Sequence, residues 1–264
     1  MIPDPTDVER VRLPATFDQA AEDYDRTRPV CPPALFDDAV ALTGLSPGDR
    51  VLEIGPGTGQ ATLPLAGRGF VVTGVEPGPA LAAVARRRLA GFPGARIVTG
   101  TFEAWQPEGG PFDAVAAVNS LHWIDPALRY RKPAEQLRDG GHLVVCSTLW
   151  ATGSEAGTFW AEVQEDYRAV GFDGGPPPRP EAIEPRHLPP EAGAFFREVA
   201  ARTYPFRRDY TAEEYLANLG TQTGPARLGE ERRAEFLDRV RRRLAGWPRL
   251  TATFVAVLTV GRRA

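Results

Sequence analysis

The stretch Val51-Leu52-Glu53-Ile54-Gly55-Pro56-Gly57-Thr58-Gly59-Gln60 constrains the chain most, because it leads an apolar strand into a helix through three alternating glycines. Gly55, Gly57 and Gly59 remove side chains that would hold a ligand off the backbone, and their freedom at φ permits a tight reversal. A helix starting there offers free N–H groups and the positive end of its dipole to a polar ligand. The flanking pattern gives a strand over 50–54, a helix over 60–68 and a second strand over 70–75. That βαβ order demands a parallel sheet with a right-handed crossover.

The spacing narrows the ligand. A dinucleotide turn runs G-x-G-x-x-G, whereas here the glycines alternate and Glu53 stands two residues before the first. A carboxylate there repels a pyrophosphate but favours a cationic, phosphate-free nucleoside, which points to S-adenosylmethionine. Glu76 ends the second strand about 20 residues after the turn, where a carboxylate can accept both ribose hydroxyls. Glu76-Pro77 also suits the first turn of the next helix, and both roles can coexist. An NAD-dependent oxidoreductase is the less favoured alternative: the glycine spacing is wrong, and no Tyr-x-x-x-Lys pair surrounds the lone Lys132.

The turn resembles motif I of class I S-adenosylmethionine-dependent methyltransferases. The segment Phe17-Asp18-Gln19-Ala20-Ala21-Glu22-Asp23-Tyr24-Asp25-Arg26-Thr27-Arg28-Pro29 resembles the N-terminal cap of the small-molecule, trans-aconitate methyltransferase-like group. That resemblance implies Tyr24 near the sulfonium and Arg28 near the methionine carboxylate, where a guanidinium makes paired charge-assisted contacts. A plain surface helix with an aromatic anchor is the other reading. After a short third strand over 95–99 comes Gly100-Thr101-Phe102-Glu103-Ala104-Trp105. By resemblance this loop covers adenine, with Phe102 against the ring and Glu103 or the backbone around Thr101 on the exocyclic amine; Phe102 and Trp105 equally suit core packing.

Residues 112–118 are nearly all apolar, as in a strand buried on both faces. Its carboxyl end carries Asn119-Ser120-Leu121-His122-Trp123-Ile124-Asp125-Pro126. Ligands of open α/β sheets lie outside the carboxyl ends of the strands, so Asn119 and Ser120 should face the cofactor, and His122 and Trp123 the acceptor. The His-Trp pair resembles the family's post-strand loop. As a base for an O–H or N–H acceptor, His122 has a suitable unperturbed pKa; substrate positioning and loop support stay open. A helix is expected over 127–137 with an irregularity at Pro133, and a fifth strand over 142–147 entered through Gly140-Gly141.

Beyond Leu149 a helical stripe over 158–170 and a Gly/Pro-rich connector over 171–180 suggest a lid above the acceptor pocket. Trp150, Phe159 and Trp160 either line that pocket or simply pack. A sixth strand is expected within 189–208, with Val199, Thr203 and Phe206 toward the core. The capping-box pattern from Thr211 to Glu214 opens a helix whose Tyr-Thr start resembles the same group, making Thr221 and Gln222 acceptor-contact candidates. A one-sided apolar helix over 230–247 and a last, antiparallel strand over 250–260 complete the pattern.

The 264 residues fit one α/β core with additions. The expected fold is a Rossmann-like, doubly wound, mostly parallel sheet with an antiparallel last strand. An N-terminal arm and cap occupy 1–45, the cofactor core 46–150, the lid 151–188 and the sheet-completing part 189–264. A net charge of −3, with no free-standing basic stretch, argues against nucleic acid as partner and for a small-molecule acceptor. No apolar run spans a membrane, the N-terminus lacks a signal peptide's pattern, and a cytoplasmic protein, monomer or homodimer, is expected. Cys31 and Cys146 lie too far apart in context to suggest a structural disulfide, and no metal-ligand cluster stands out. The resemblance implies in-line transfer of the sulfonium methyl to an O, N or C nucleophile, carboxylates and natural-product hydroxyls included. The alternative is a protein that keeps the cofactor structurally or as a cyclase.

Overall fold

The computed structural model describes residues 5–6, 9–10, 16–153, 158–172, 175–247 and 249–264. At its centre is β1 (Arg50–Ile54), whose last four residues are buried. On one side it pairs in parallel with β2 (Val71–Glu76), Ile54 opposite Val75, and β2 pairs with β3 (Ala95–Thr99). On the other side β1 meets β4 (Phe112–Val118), which pairs in parallel with β5 (Leu137–Ala151). The sheet grows in opposite directions from β1, so a crevice opens at the carboxyl ends of β1 and β4. β6 (Phe196–Thr211) and β7 (Arg249–Arg263) complete the seven strands in the order β3-β2-β1-β4-β5-β7-β6. β7 is antiparallel to both neighbours, as the pattern of the last strand suggested.

Around the sheet lie α1 (Ala21–Thr27) and α2 (Pro33–Thr43), then α3 (Thr62–Gly67), α4 (Pro79–Arg88) and α5 (Arg131–Gln136). Proline opens α2, and Gly44 at φ 68° ends it by returning its N–H to the Val40 carbonyl. The second group comprises α6 (Phe159–Glu162), α7 (Gln164–Ala169), α8 (Ala212–Gly220), α9 (Thr223–Arg227) and α10 (Glu230–Leu244). It packs Phe159, Trp160, Tyr215 and Phe236 against Leu250 and Phe254 of β7 in a cluster separate from the one under β1. No helix among the described residues is long and apolar enough to cross a membrane.

Several expectations change. The arm over 1–15 lies largely outside the described residues, as does part of the 171–180 connector. The helix expected over 127–137 begins only at Arg131, which puts Pro133 in its first turn, where no backbone donor is missed. The fifth strand runs well beyond 142–147 because β7 pairs with it from His142 to Ala151. The helix expected over 158–170 is two short ones, and its aromatic side chains sit in the second cluster instead of roofing the pocket. Val199 is 43% exposed: the register shifts between Glu198 and Ala200, leaving it unpaired in a bulge. Cys31 and Cys146 are free, buried thiols as expected, although their Sγ atoms lie 3.6 Å apart.

The capping box of α8 forms as the sequence reads: Glu214 N donates to Thr211 Oγ1 at 3.2 Å, and Thr211 N to Glu214 Oε2 at 2.9 Å. Replacing Thr211 by Ala should lower stability by about 1 kcal/mol, read as a shift in denaturant midpoint with an unchanged slope.

Candidate active site

Backbone donors fix the carboxylate at the end of β2. Glu76 Oε2 accepts from Gly57 N at 2.8 Å and Oε1 from Gly78 N at 2.9 Å, so one side chain ties the glycine turn to the start of α4. Gly55 has φ 62°, and a Cβ there would meet the Ser120 Cβ at 2.8 Å, so the turn after β1 and the loop after β4 touch only because glycine is present. Burial pushes the Glu76 carboxyl up from its ordinary pKa, the two N–H groups pull it back, and Asp18 adds a further upward push.

Glu53 is displaced from its expected place. It lies beneath the turn, 1% exposed, where Thr62 Oγ1 donates to its Oε2 at 2.6 Å, and it does not border the cavity. Its β1 position points it under α3, and burial, opposed by the Thr62 bond and aided by the Glu76 charge, raises its pKa to about 7. Gly59 likewise serves packing: a Cβ there would lie 3.3 Å from Ala85 of α4. Between pH 4.5 and about 7 the folded chain holds a proton on Glu53 that the unfolded chain has lost, so this group's contribution to stability falls as pH rises. Glu53→Gln should gain about 3 kcal/mol on the wild type across that window, measured by urea unfolding at both ends of it.

The cap closes over the turn. Asp18 Oδ1 accepts from Ala80 N at 2.7 Å and Leu81 N at 3.0 Å, serving the open N–H groups of α4. Thr27 O accepts from Tyr210 Oη at 3.0 Å and Asn218 Nδ2 at 2.8 Å, pinning the end of α1 to β6 and α8. The Arg28 guanidinium lies 4.8 Å from the Tyr24 ring centroid and donates to Thr221 Oγ1 at 3.0 Å, Gln222 Oε1 at 3.3 Å and the Thr221 carbonyl. The structure thus joins Arg28, Thr221 and Gln222. Thr221 is 1% exposed and off the cavity wall, because its hydroxyl is turned back to Asn218 O and Arg28.

Two buried cations to which the sequence reading gave no role in the site hold the loops after β3 and β4. Lys132 Nζ donates to Glu103 O at 2.8 Å and Trp105 O at 2.7 Å and lies 5.2 Å from the Phe102 ring centroid. Arg129 Nη2 donates to His122 O at 3.1 Å and Ile124 O at 3.3 Å. The loops are also joined directly, Asp125 N donating to Glu103 Oε1 at 3.3 Å. Asn119 has φ 56°, uncommon for a side-chain-bearing residue, and is braced by Thr148, whose N donates to Asn119 Oδ1 at 2.6 Å. The Lys132 partners are main-chain carbonyls 29 and 27 residues earlier, brought near only by the fold, whereas those of Arg129 lie seven and five residues back in its own loop.

Together the elements enclose a cavity of about 1250 Å³. Its wall takes in Tyr24, Arg28, Gly55, Gly57, Glu76, Pro77, Thr101, Phe102, Glu103, Asn119 and Ser120, with His122, Trp123, Trp150 and Gln222 farther along. Trp160 does not reach it: its ring packs 5.6 Å from that of Trp150 and 5.3 Å from that of Phe159. His122 is exposed, its ring 4.9 Å from that of Trp123.

A family model described as a methyltransferase domain matches residues 51–141, the span from the glycine turn to the Gly-Gly entry of β5. An uncharacterized methyltransferase of Mycobacterium tuberculosis is 32% identical over 248 residues, 89% of this chain and 88% of that protein. The chain belongs to the S-adenosylmethionine-dependent methyltransferase family. The methyltransferase fold recurs in a Geobacter sulfurreducens enzyme solved with S-adenosylhomocysteine, at 17% identity and a TM-score of 0.50 over 92% of this chain and 96% of that one. The cyclase SpnF has it too, at 18% identity and a TM-score of 0.55 over 98% of both chains. In this methyltransferase, Lys132→Met should loosen the 101–105 loop, raising the cofactor KM about tenfold with kcat changed less than about twofold, as steady-state kinetics would show.

Proposed function

We propose that this methyltransferase moves the methyl of S-adenosylmethionine to a small-molecule acceptor, and that it catalyses mainly by alignment. The observation carrying the reading is the continuous cavity of about 1250 Å³ running from Glu76 to Trp150 beneath the cap. A pocket for one drug-sized ligand measures roughly 300–1,000 Å³, so this one has room for donor and acceptor together. Glu76 fits the donor's ribose: each oxygen has one backbone donor, which leaves lone pairs for two hydroxyls. The Phe102 ring is 1% exposed and packs in the core below the loop, so adenine would lie against the backbone around Thr101 and Phe102, and the glycine backbone at Gly55 and Gly57 admits close approach.

Arg28 spends three N–H donors on Thr221 and Gln222, and the two that remain serve the methionine carboxylate. Tyr24 offers an aromatic face to the sulfonium, which favours cofactor binding more than rate because that charge fades in the transition state. When bound, the cofactor supplies a methyl already activated by cationic sulfur. The chain therefore needs chiefly to hold the acceptor in line, an effect worth up to ~7–11 kcal/mol, and to keep water out. His122 stands at the acceptor end to take a proton from an O–H or N–H nucleophile, whereas a carboxylate acceptor would need no base.

Calorimetric titration with S-adenosylmethionine and S-adenosylhomocysteine should give saturable binding. Glu76→Ala should weaken it by roughly ten- to a hundredfold, the loss of a charge-assisted hydrogen bond of ~1.5–3 kcal/mol. Binding of NAD in place of these ligands would overturn the proposal.

A further inference from the structure

We infer that the acceptor is an uncharged, flat, apolar ring compound, such as a phenol with fused or substituted rings, and not a polycarboxylate. The inference rests on the proposed function, since it assigns the part of the cavity that the donor leaves open. Past Asn119 and His122 the wall is made by Leu149, Trp150, Phe254, Ile183 and Pro177. Trp150 is half-buried and held by three rings: Phe254 at 4.5 Å, Trp160 at 5.6 Å and Tyr215 at 6.1 Å between centroids. A side chain so fixed presents a rigid apolar plane, to which a flat ring binds with little loss of side-chain freedom.

Charge points the same way. Setting aside Glu76 and Glu103 at the donor's end, the described acids bordering the cavity are Asp125 and Glu184, beside three arginines, Arg10, Arg28 and Arg186. Arg28 is already bound by the α8–α9 turn. Arg10 follows Glu9, whose carboxylate takes the Arg227 guanidinium of α9 at 2.8 Å, which puts it at the cap end. Arg186 is exposed, and Glu184, which also borders the cavity, offsets its charge. A substrate with several carboxylates would thus give up its hydration for little net positive charge, while a neutral ring gives up only apolar surface. The resemblance of the cap to the trans-aconitate group accordingly does not extend to the acceptor.

The test titrates the full chain with 2-naphthol and with propane-1,2,3-tricarboxylate, each with and without saturating S-adenosylhomocysteine, by calorimetry and tryptophan fluorescence. Saturable naphthol binding is expected, weakened about tenfold or more in Trp150→Leu and Ile183→Asp, with S-adenosylhomocysteine affinity unchanged. Ile183 lies on a partly exposed loop, so its variant decides the matter should Trp150→Leu fail to fold. Tricarboxylate binding without naphthol binding, or naphthol affinity indifferent to Ile183→Asp, overturns the inference. If S-adenosylhomocysteine does not bind the wild type, the proposed function fails, and the titrations without it still decide the acceptor's chemistry.

Discussion

Burying the Glu76 carboxylate costs solvation, and the molecule offsets that cost with two main-chain N–H groups, one from the glycine turn and one from the residue before α4. The rest of this end of the cavity is built outward from this bridge. The turn keeps its shape because Gly57 is held by Glu76, α4 starts where Gly78 is held, and the cap docks on α4 through Asp18. Asp18 adds negative charge nearby, whereas Glu53 beneath the turn sheds most of its own by holding a proton up to about pH 7. A cationic ligand relieves this field, so the repulsion that mildly disfavours the empty pocket favours the occupied one.

The parallel core was legible because each of its elements carries a local signature. Apolar runs at 50–54, 70–75 and 112–118, the glycine turn and the capping box at Thr211 are all patterns within a few neighbours. Where reading failed, the outcome depended on which partners the fold brought together. Whether Glu53 faces the crevice or hides under α3 depends on Thr62, and whether Trp160 lines a pocket or fills a core depends on Phe159, Trp150 and Tyr215 meeting it. A helical stripe of aromatics looks the same in either setting. Lys132 was read only for what it could not be, a partner in an oxidoreductase pair, because its true partners are carbonyls of a loop almost thirty residues earlier.

Arg129 and Lys132 stand three residues apart, each gripping one of the two loops, and Asp125 joins those loops across the gap. The two ends of the cavity therefore share one footing. Such an arrangement suits a reaction decided by distance, since tightening one loop moves the other with it.

Ribosomal synthesis gives the placement of β7 another meaning. Strands β1 to β4 find their partners within a short length of nascent chain, but Trp150 in β5 must wait for Phe254, roughly a hundred residues later, before its edge is paired. The parallel half can assemble early, while the aromatic wall stays open until nearly the whole sequence has emerged. Premature termination upstream of β7 would release a chain with a bare, apolar β5 edge, a natural target for chaperones and for aggregation.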